Sequence, residues 1–144
     1  MPPWLTAQLA ALLMTALVLG AMVFYAFVVT PLVFAKLPRE TAAEFLHEAF
    51  PVYYLVMGCG SGIALLLAAP GGGADAIMLA VVMAGFVVAR QVILPRINSH
   101  REARLAGDER SAAAFRRLHR ASVVLNLAQM IVVATVFLRL ATRA

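Results

Sequence analysis

LAALLMTALVLGAMVFYAFVVTPLVF, residues Leu9 to Phe34, runs for 26 positions without a charged side chain. Its only polar side chains are Thr15, Tyr25 and Thr30. At about 1.5 Å of rise per residue a helix of this length covers roughly 39 Å, more than the ~30 Å hydrocarbon core of a bilayer. The run closes at Lys36, Pro38 and Arg39. A cleaved signal peptide would place Lys or Arg ahead of a shorter apolar run, and Met1 to Gln8 contains neither, so a retained helix is expected. Pro31 falls where this helix reaches the interface and is expected to kink or end its last turn.

Three further runs follow. Phe50 to Ala69 stops at Pro70-Gly71-Gly72-Gly73, a strong break signal. Asp75 reads as an N-cap for Ala76 to Leu94, which Pro95-Arg96 should end. Ala121 to Leu138 meets Arg139 and Arg143. None of the runs alternates with period two, which excludes a barrel. The whole chain agrees: of 144 residues 63% are hydrophobic and 13% charged, where soluble domains carry about half and a quarter. Mean hydropathy is +0.90. The expected fold is therefore all-α, a four-helix transmembrane bundle in one domain (1–144), with spans near 9–34, 50–69, 76–94 and 121–138. No room is expected for an additional soluble domain.

Charge orients the bundle. The connections between helices one and two and between three and four hold Lys36, Arg39, Arg96, Arg101, Arg104, Arg110, Arg116, Arg117 and Arg120. The opposite side holds only Arg139 and Arg143. Short basic loops stay cytoplasmic, so an inner-membrane protein with both termini and the Pro70–Asp75 turn outside is expected. The net charge of +5 then reads as topology. The Arg run from Arg96 to Arg120 lacks the aromatic interleaving of a nucleic-acid surface, and its partners are the bilayer and its anionic headgroups. Between Arg39 and Phe50, Phe45, Leu46, Ala49 and Phe50 oppose the acidic stripe Glu40, Glu44 and Glu48, the pattern of a short interfacial helix. The basic connection between helices three and four, interrupted at Gly107-Asp108, is expected to be helical from about Ser111.

Polar and small residues inside the membrane mark the candidates for function. Gly58 and Gly62 form a GxxxG, echoed by Ala16 and Gly20 and by Gly85 and Ala89, and such pairs serve close helix packing or self-association. In helix four, His119, Ser122, Asn126 and Gln129 fall within an arc of about 80° at ~100° per residue, a stripe that should face the interior. The stripe serves either interhelical hydrogen bonds or a small polar crevice opening to the cytoplasm with His119 at its mouth. Arg90 is the one charge within an apolar run. It either snorkels, pairs with Glu44 or Glu48, or holds an anionic ligand. His47, Cys59 and His119, with Met57 nearby, are the soft or imidazole donors available to a haem or copper ion. No two histidines share helical-turn spacing and no CxxC or HExxH is present. A single Cys forbids an internal disulfide. There is no Walker motif, no GxSxG and no carboxylate pair within the membrane, so nothing points to catalysis.

Several of these residues carry a resemblance. Phe34, Leu37-Pro38-Arg39, Phe50-Pro51-Val52-Tyr53-Tyr54, Met57-Gly58-Cys59 and Leu94-Pro95-Arg96-Ile97-Asn98 are similar to the transmembrane protein 205-like family. So are Phe115-Arg116-Arg117-Leu118-His119, Ser122 and Asn126. The pieces span Phe34 to Asn126 in order. The spacing from Arg90 to Pro95 is one residue longer than in some members. The resemblance implies an integral membrane protein, classed in bacteria as domain of unknown function 4149, without an established chemistry. A eukaryotic member is linked to platinum-drug resistance, which brings a soft-donor site at Cys59, Met57 or His119 into view. Three functions are thus expected in descending order. The first is a non-enzymatic crevice for a small ligand, built from Arg90, His119, Ser122, Asn126 and Gln129, in transport or stress tolerance. Next comes an assembly subunit or homo-oligomer packed on its glycine face. The last is a haem- or metal-dependent oxidoreductase.

Overall fold

In a membrane each backbone amide must find its partner within its own segment, so apolar runs of this length close into helices. The computed structural model describes residues 3–71 and 73–143, and among them there are helices and turns but no strand. Gly72 of the glycine break and the Arg104 side chain, both read above, lie outside the described residues. Six α-helices follow one another: α1 Pro3–Phe24, α2 Thr30–Lys36, α3 Arg39–Ala68, α4 Ala74–Val88, α5 Leu94–Leu105 and α6 Glu109–Ala141. Wide π-turns at Tyr25–Val29 and Ala89–Ile93 join α1 to α2 and α4 to α5 without a break. The described residues therefore form four rods long and apolar enough to cross a membrane: Thr6–Lys36, Arg39–Gly71, Ala74–Ala103 and Arg110–Ala141.

The rods outrun the apolar runs because three prolines fail to stop them. Pro31 and Pro95 each lie two residues after a π-turn, and the wide turn opens the hydrogen-bond ladder where the proline lacks a donor and its ring needs room. The residues between, Thr30 and Leu94, donate their amides five residues back, to the carbonyls of Tyr25 and Ala89. The end expected at Pro95-Arg96 is thereby corrected, since the helix continues through α5 to Leu105. Arg39–Phe50 is helical as read, but it forms the opening turns of α3 and passes through Pro51 into the second span. Asp75 also moves: Gly73, at φ 78°, takes the N-cap, and Asp75 sits inside the first turn of α4. Only glycine adopts that backbone angle without strain.

The four rods form a ring in which α1 packs on α3, α3 on α4, α4 on α6 and α6 on α1. Glycines set the close approaches. A Cβ at Gly58 or Gly62 would meet Phe86 or Met83 of α4, at 3.5 and 3.1 Å. One at Gly60 would lie 2.8 Å from Val18 of α1, and one at Gly85 only 2.6 Å from the Gln129 side chain of α6. The Gly58–Gly62 pair is thus used within the chain, between α3 and α4. Two buried clusters fill the interior. One joins Ala11, Ala64, Ala68, Leu79, Val136 and Leu140 near the termini. The other joins Val18, Met22, Tyr53, Tyr54, Met57, Val82, Phe86 and neighbours toward the connections. Leu13, Leu17, Leu66, Ile77 and Ile131 point outward with about two-thirds or more of their surface free, an outer face suited to lipid.

Candidate functional site

Positions 50, 53 and 54 are one turn apart in α3, so Phe50, Tyr53 and Tyr54 share a face. That face turns inward and gathers rings from two other helices. Tyr25, from the first π-turn, stacks on Tyr53 with centroids 4.6 Å apart and meets Phe50 edge-on at 5.8 Å. Phe86 of α4 lies 6.3 and 6.4 Å from Tyr53 and Tyr54. The two buried tyrosines bring hydroxyls into a region otherwise lined by Met22, Met57 and Val82, and α6 answers them. The Tyr53 hydroxyl donates to Asn126 Oδ1 at 2.9 Å, and Tyr54 interacts with Ser122. Ser122 in turn donates to the His119 carbonyl at 2.7 Å. One turn further along α6, Gln129 Nε2 donates to the Val82 carbonyl of α4 at 2.8 Å, in the space that Gly85 leaves.

The stripe read from the sequence therefore divides. Ser122 and Gln129 are buried, Asn126 is half-buried, and all three reach across to α3 or α4. His119 is exposed and stacks on Phe115 of its own helix, with rings 3° from parallel. It sits at the edge of the helical arc, on the side away from Gln129, and rotates out of the contact. Arg90, within the second π-turn, is half-buried. Its Nε donates to the Pro51 carbonyl at 3.2 Å. Among the described residues it makes no ion pair, so the pairing expected with Glu44 or Glu48 is replaced by a bond to backbone. Those two glutamates lie on the exposed side of α3. Arg90 and Asn126 thus grip neighbouring positions of α3, Pro51 and Tyr53.

Most polar atoms of this cluster have partners. Two buried ones do not: the Tyr25 hydroxyl and Gln129 Oε1. Buried polar atoms are nearly always hydrogen-bonded, and an unpaired one costs about 1–3 kcal/mol. Chemically the cluster offers a phenol, an amide oxygen and a guanidinium against a wall of rings. It holds no arrangement of nucleophile and base. The candidate metal donors stay scattered. Cys59 is exposed on α3, Met57 is buried in the core, His47 is half-buried and His119 is exposed. No three His, Cys, Asp or Glu side chains converge on one point among the described residues.

Below this cluster, Asp108 caps the start of α6. It accepts from the Arg110 amide at 3.0 Å and from the Ser111 hydroxyl at 2.7 Å, while His100 of α5 approaches Ser111 at 3.4 Å. Those hydrogen bonds hold the Asp108 carboxyl below the usual carboxylate range.

Sequence reasoning missed the tyrosines. Tyr25 was visible only as a polar interruption, and Tyr53-Tyr54 only as part of a resemblance. Their one-turn spacing from Phe50 was the signal available. It also missed the partners of Asp75. Asp75 Oδ1 accepts from Arg139 Nε at 2.5 Å and Oδ2 from Arg143 Nη1 at 2.6 Å, which ties the start of α4 to the end of α6.

No curated protein and no solved structure matches the chain. Residues 13–106, more than half its length and most of the first three rods, match the family described as domain of unknown function (DUF4149). With its four membrane-length helices and that match, the chain belongs to the DUF4149 family.

Proposed function

We propose that this protein is a non-enzymatic, multi-pass inner-membrane protein that holds a small polar ligand in the tyrosine cluster, in the service of transport or stress tolerance. The observation that carries the reading is the pair of buried, unpartnered atoms, the Tyr25 hydroxyl and Gln129 Oε1. They border a network whose other members are bonded, and a ligand presenting both an acceptor and a donor would complete it. Arg90 adds a guanidinium with donors to spare beyond its bond to Pro51. The crevice would open to the cytoplasm, with both termini outside, as the basic connections favour. Arg117 and Arg120 stand above an open apolar groove of Ala121, Val124, Leu125 and Ala128, a surface suited to an anionic lipid. The motifs from Phe115 to Asn126 lie beyond the matched residues, and they support a finer kinship with the transmembrane protein 205-like proteins.

The test is native mass spectrometry of protein released from mild detergent. A small-molecule adduct is expected on the wild type and should be lost in both Tyr25→Phe and Asn126→Leu. Unliganded protein in all three would remove the proposal. The visible spectrum and metal content of the same sample test the haem or copper alternative at His47, Cys59 and His119. A Soret band, or stoichiometric copper lost in His119→Ala, would put a cofactor in the ligand's place. For the orientation, Ser99→Cys in a Cys59→Ser background should react with an impermeant thiol reagent only after permeabilisation.

A second reading, an assembly subunit, rests on α1. A Cβ at Gly20 would meet nothing within 4 Å, so this position of α1 is free where Gly58–Gly62 is occupied. Loss of a higher-order species on native gels in Gly20→Leu would support it.

A further inference from the structure

The end of the bundle that carries both termini has a site of its own, independent of the tyrosine cluster. A cavity of about 130 Å³ opens there between α1, the turn after α3, and the end of α6. Its floor is apolar, with Ala11, Ala68 and Leu140, and its polar wall is Gln8, Asp75 and Arg143. A water takes about 30 Å³ of liquid, so the space suits a few waters or one group of four or five heavy atoms. The polar wall is not symmetric in charge. The Asp75 side chain is 3% exposed and both its oxygens already accept charged hydrogen bonds. Two guanidiniums answer this one carboxylate, which leaves net positive charge and further N–H donors on side chains 37% and 50% exposed. From the other side the Gln8 amide nitrogen is buried and has no hydrogen-bond partner. The buried Gln8 amide nitrogen and the spare N–H groups of Arg143 therefore offer uncommitted donors on the cavity wall.

We propose that this cavity is an oxyanion site. Gln8 and Arg143 bind a phosphate or carboxylate group, and Asp75 holds the arginines in place. A planar or tetrahedral oxyanion matches the guanidinium fork and takes the amide protons that Gln8 offers. The same chemistry is presented by a free small oxyanion and by the phosphate of a phospholipid headgroup. The position next to the membrane-spanning ends admits both.

The full-length protein in mild detergent decides the matter, with inorganic phosphate and phosphatidylglycerol as separate probes. Phosphate binding is read as a saturable rise in Tm at constant ionic strength, and phosphatidylglycerol as a retained lipid mass in native spectra. Retention of phosphatidylglycerol without a phosphate effect assigns a headgroup, whereas a phosphate effect assigns a free oxyanion. Either must weaken tenfold or more in Gln8→Leu, which removes the amide donor at similar size and leaves the ion pairs intact. Arg143→Gln, on a half-exposed side chain, serves as the second variant and should weaken binding likewise. Asp75→Asn, which loosens the hold on both guanidiniums, should weaken phosphate binding severalfold as well as the fold, whereas a purely structural Asp75 predicts destabilisation and no change in affinity. No effect of either probe on the wild type, or equal binding in wild type and Gln8→Leu, would overturn the proposal.

Discussion

The two ends of this bundle are closed by opposite means. At the termini, small residues bring the helices together and one buried carboxylate clamps two arginines. Toward the connections, large rings fill the same volume, and the polar contacts across helices are neutral: phenol to amide, amide to carbonyl. There the formal charges stand mostly outside the packed region, and the arginine that enters it bonds to backbone. Charge pairing is strong where the guanidiniums keep part of their water, because the cost of desolvating them is then only partly incurred. Deeper in, neutral hydrogen bonds satisfy buried groups at smaller cost but also at smaller gain. One end should therefore be rigid and specific, the other adjustable.

The comparison can be broken most sharply at Asp75. Asp75→Ala should destabilise the protein by about 2–3 kcal/mol, below the ~3–5 of a fully buried pair because both arginines stay partly hydrated. Denaturation in mixed micelles measures it, and a loss near that of Tyr53→Phe would erase the contrast between the ends. Gly85→Ala comes next, at about 1–2 kcal/mol, since its Cβ would lie 2.6 Å from Gln129 Nε2 and push it off the Val82 carbonyl. In a Gln129→Ala background the same change should be neutral or stabilising, and additivity of the two would show that they do not interact. Gly20→Ala, in open space, is the control and should cost nothing. Tyr53→Phe should cost about 0.6 kcal/mol, the usual worth of an interhelical hydrogen bond in a membrane. The smallest effect belongs to the surface. Because native contacts depress the Asp108 carboxyl, its contribution is complete above the unfolded pKa and is lost as pH falls through the lower folded value. Amide exchange at Arg110 and Ser111 should accelerate below the ordinary carboxylate range, and Asp108→Ala should remove that acid dependence.

The four rods were legible because twenty consecutive apolar residues have few alternatives in water or lipid. Their ends were not. Lys36 marks its limit correctly and α6 runs past Arg139 only to Ala141, but Pro51 and Pro95 carry a stop signal that holds for water-exposed helices and fails where neighbours and wide turns absorb the missing bond. Within α6, periodicity aimed Ser122 and Gln129 inward as expected, since helical angle alone decides that. It could not name their partners. Tyr53 and Asn126 are 73 residues apart, and Asp75 and Arg143 are 68 apart. Such pairings depend on how rods pack, which a one-dimensional pattern does not encode. Arg90 illustrates both limits at once: its unusual position was plain, and its true acceptor, a carbonyl, is present at every residue and so leaves no trace in the sequence.

The second π-turn has a consequence for where Arg90 is aimed. It surrounds Arg90 and carries one residue more per turn than the α-helix on either side. A five-residue turn in place of a four-residue one is how a helix swallows an insertion: the phase slips locally by about 100°, and the helix on either side carries on. Removing one residue between Arg90 and Pro95 should restore an ordinary helix while turning Arg90 away from α3. Chains with and without that residue would then share one scaffold and differ in where the membrane arginine is aimed.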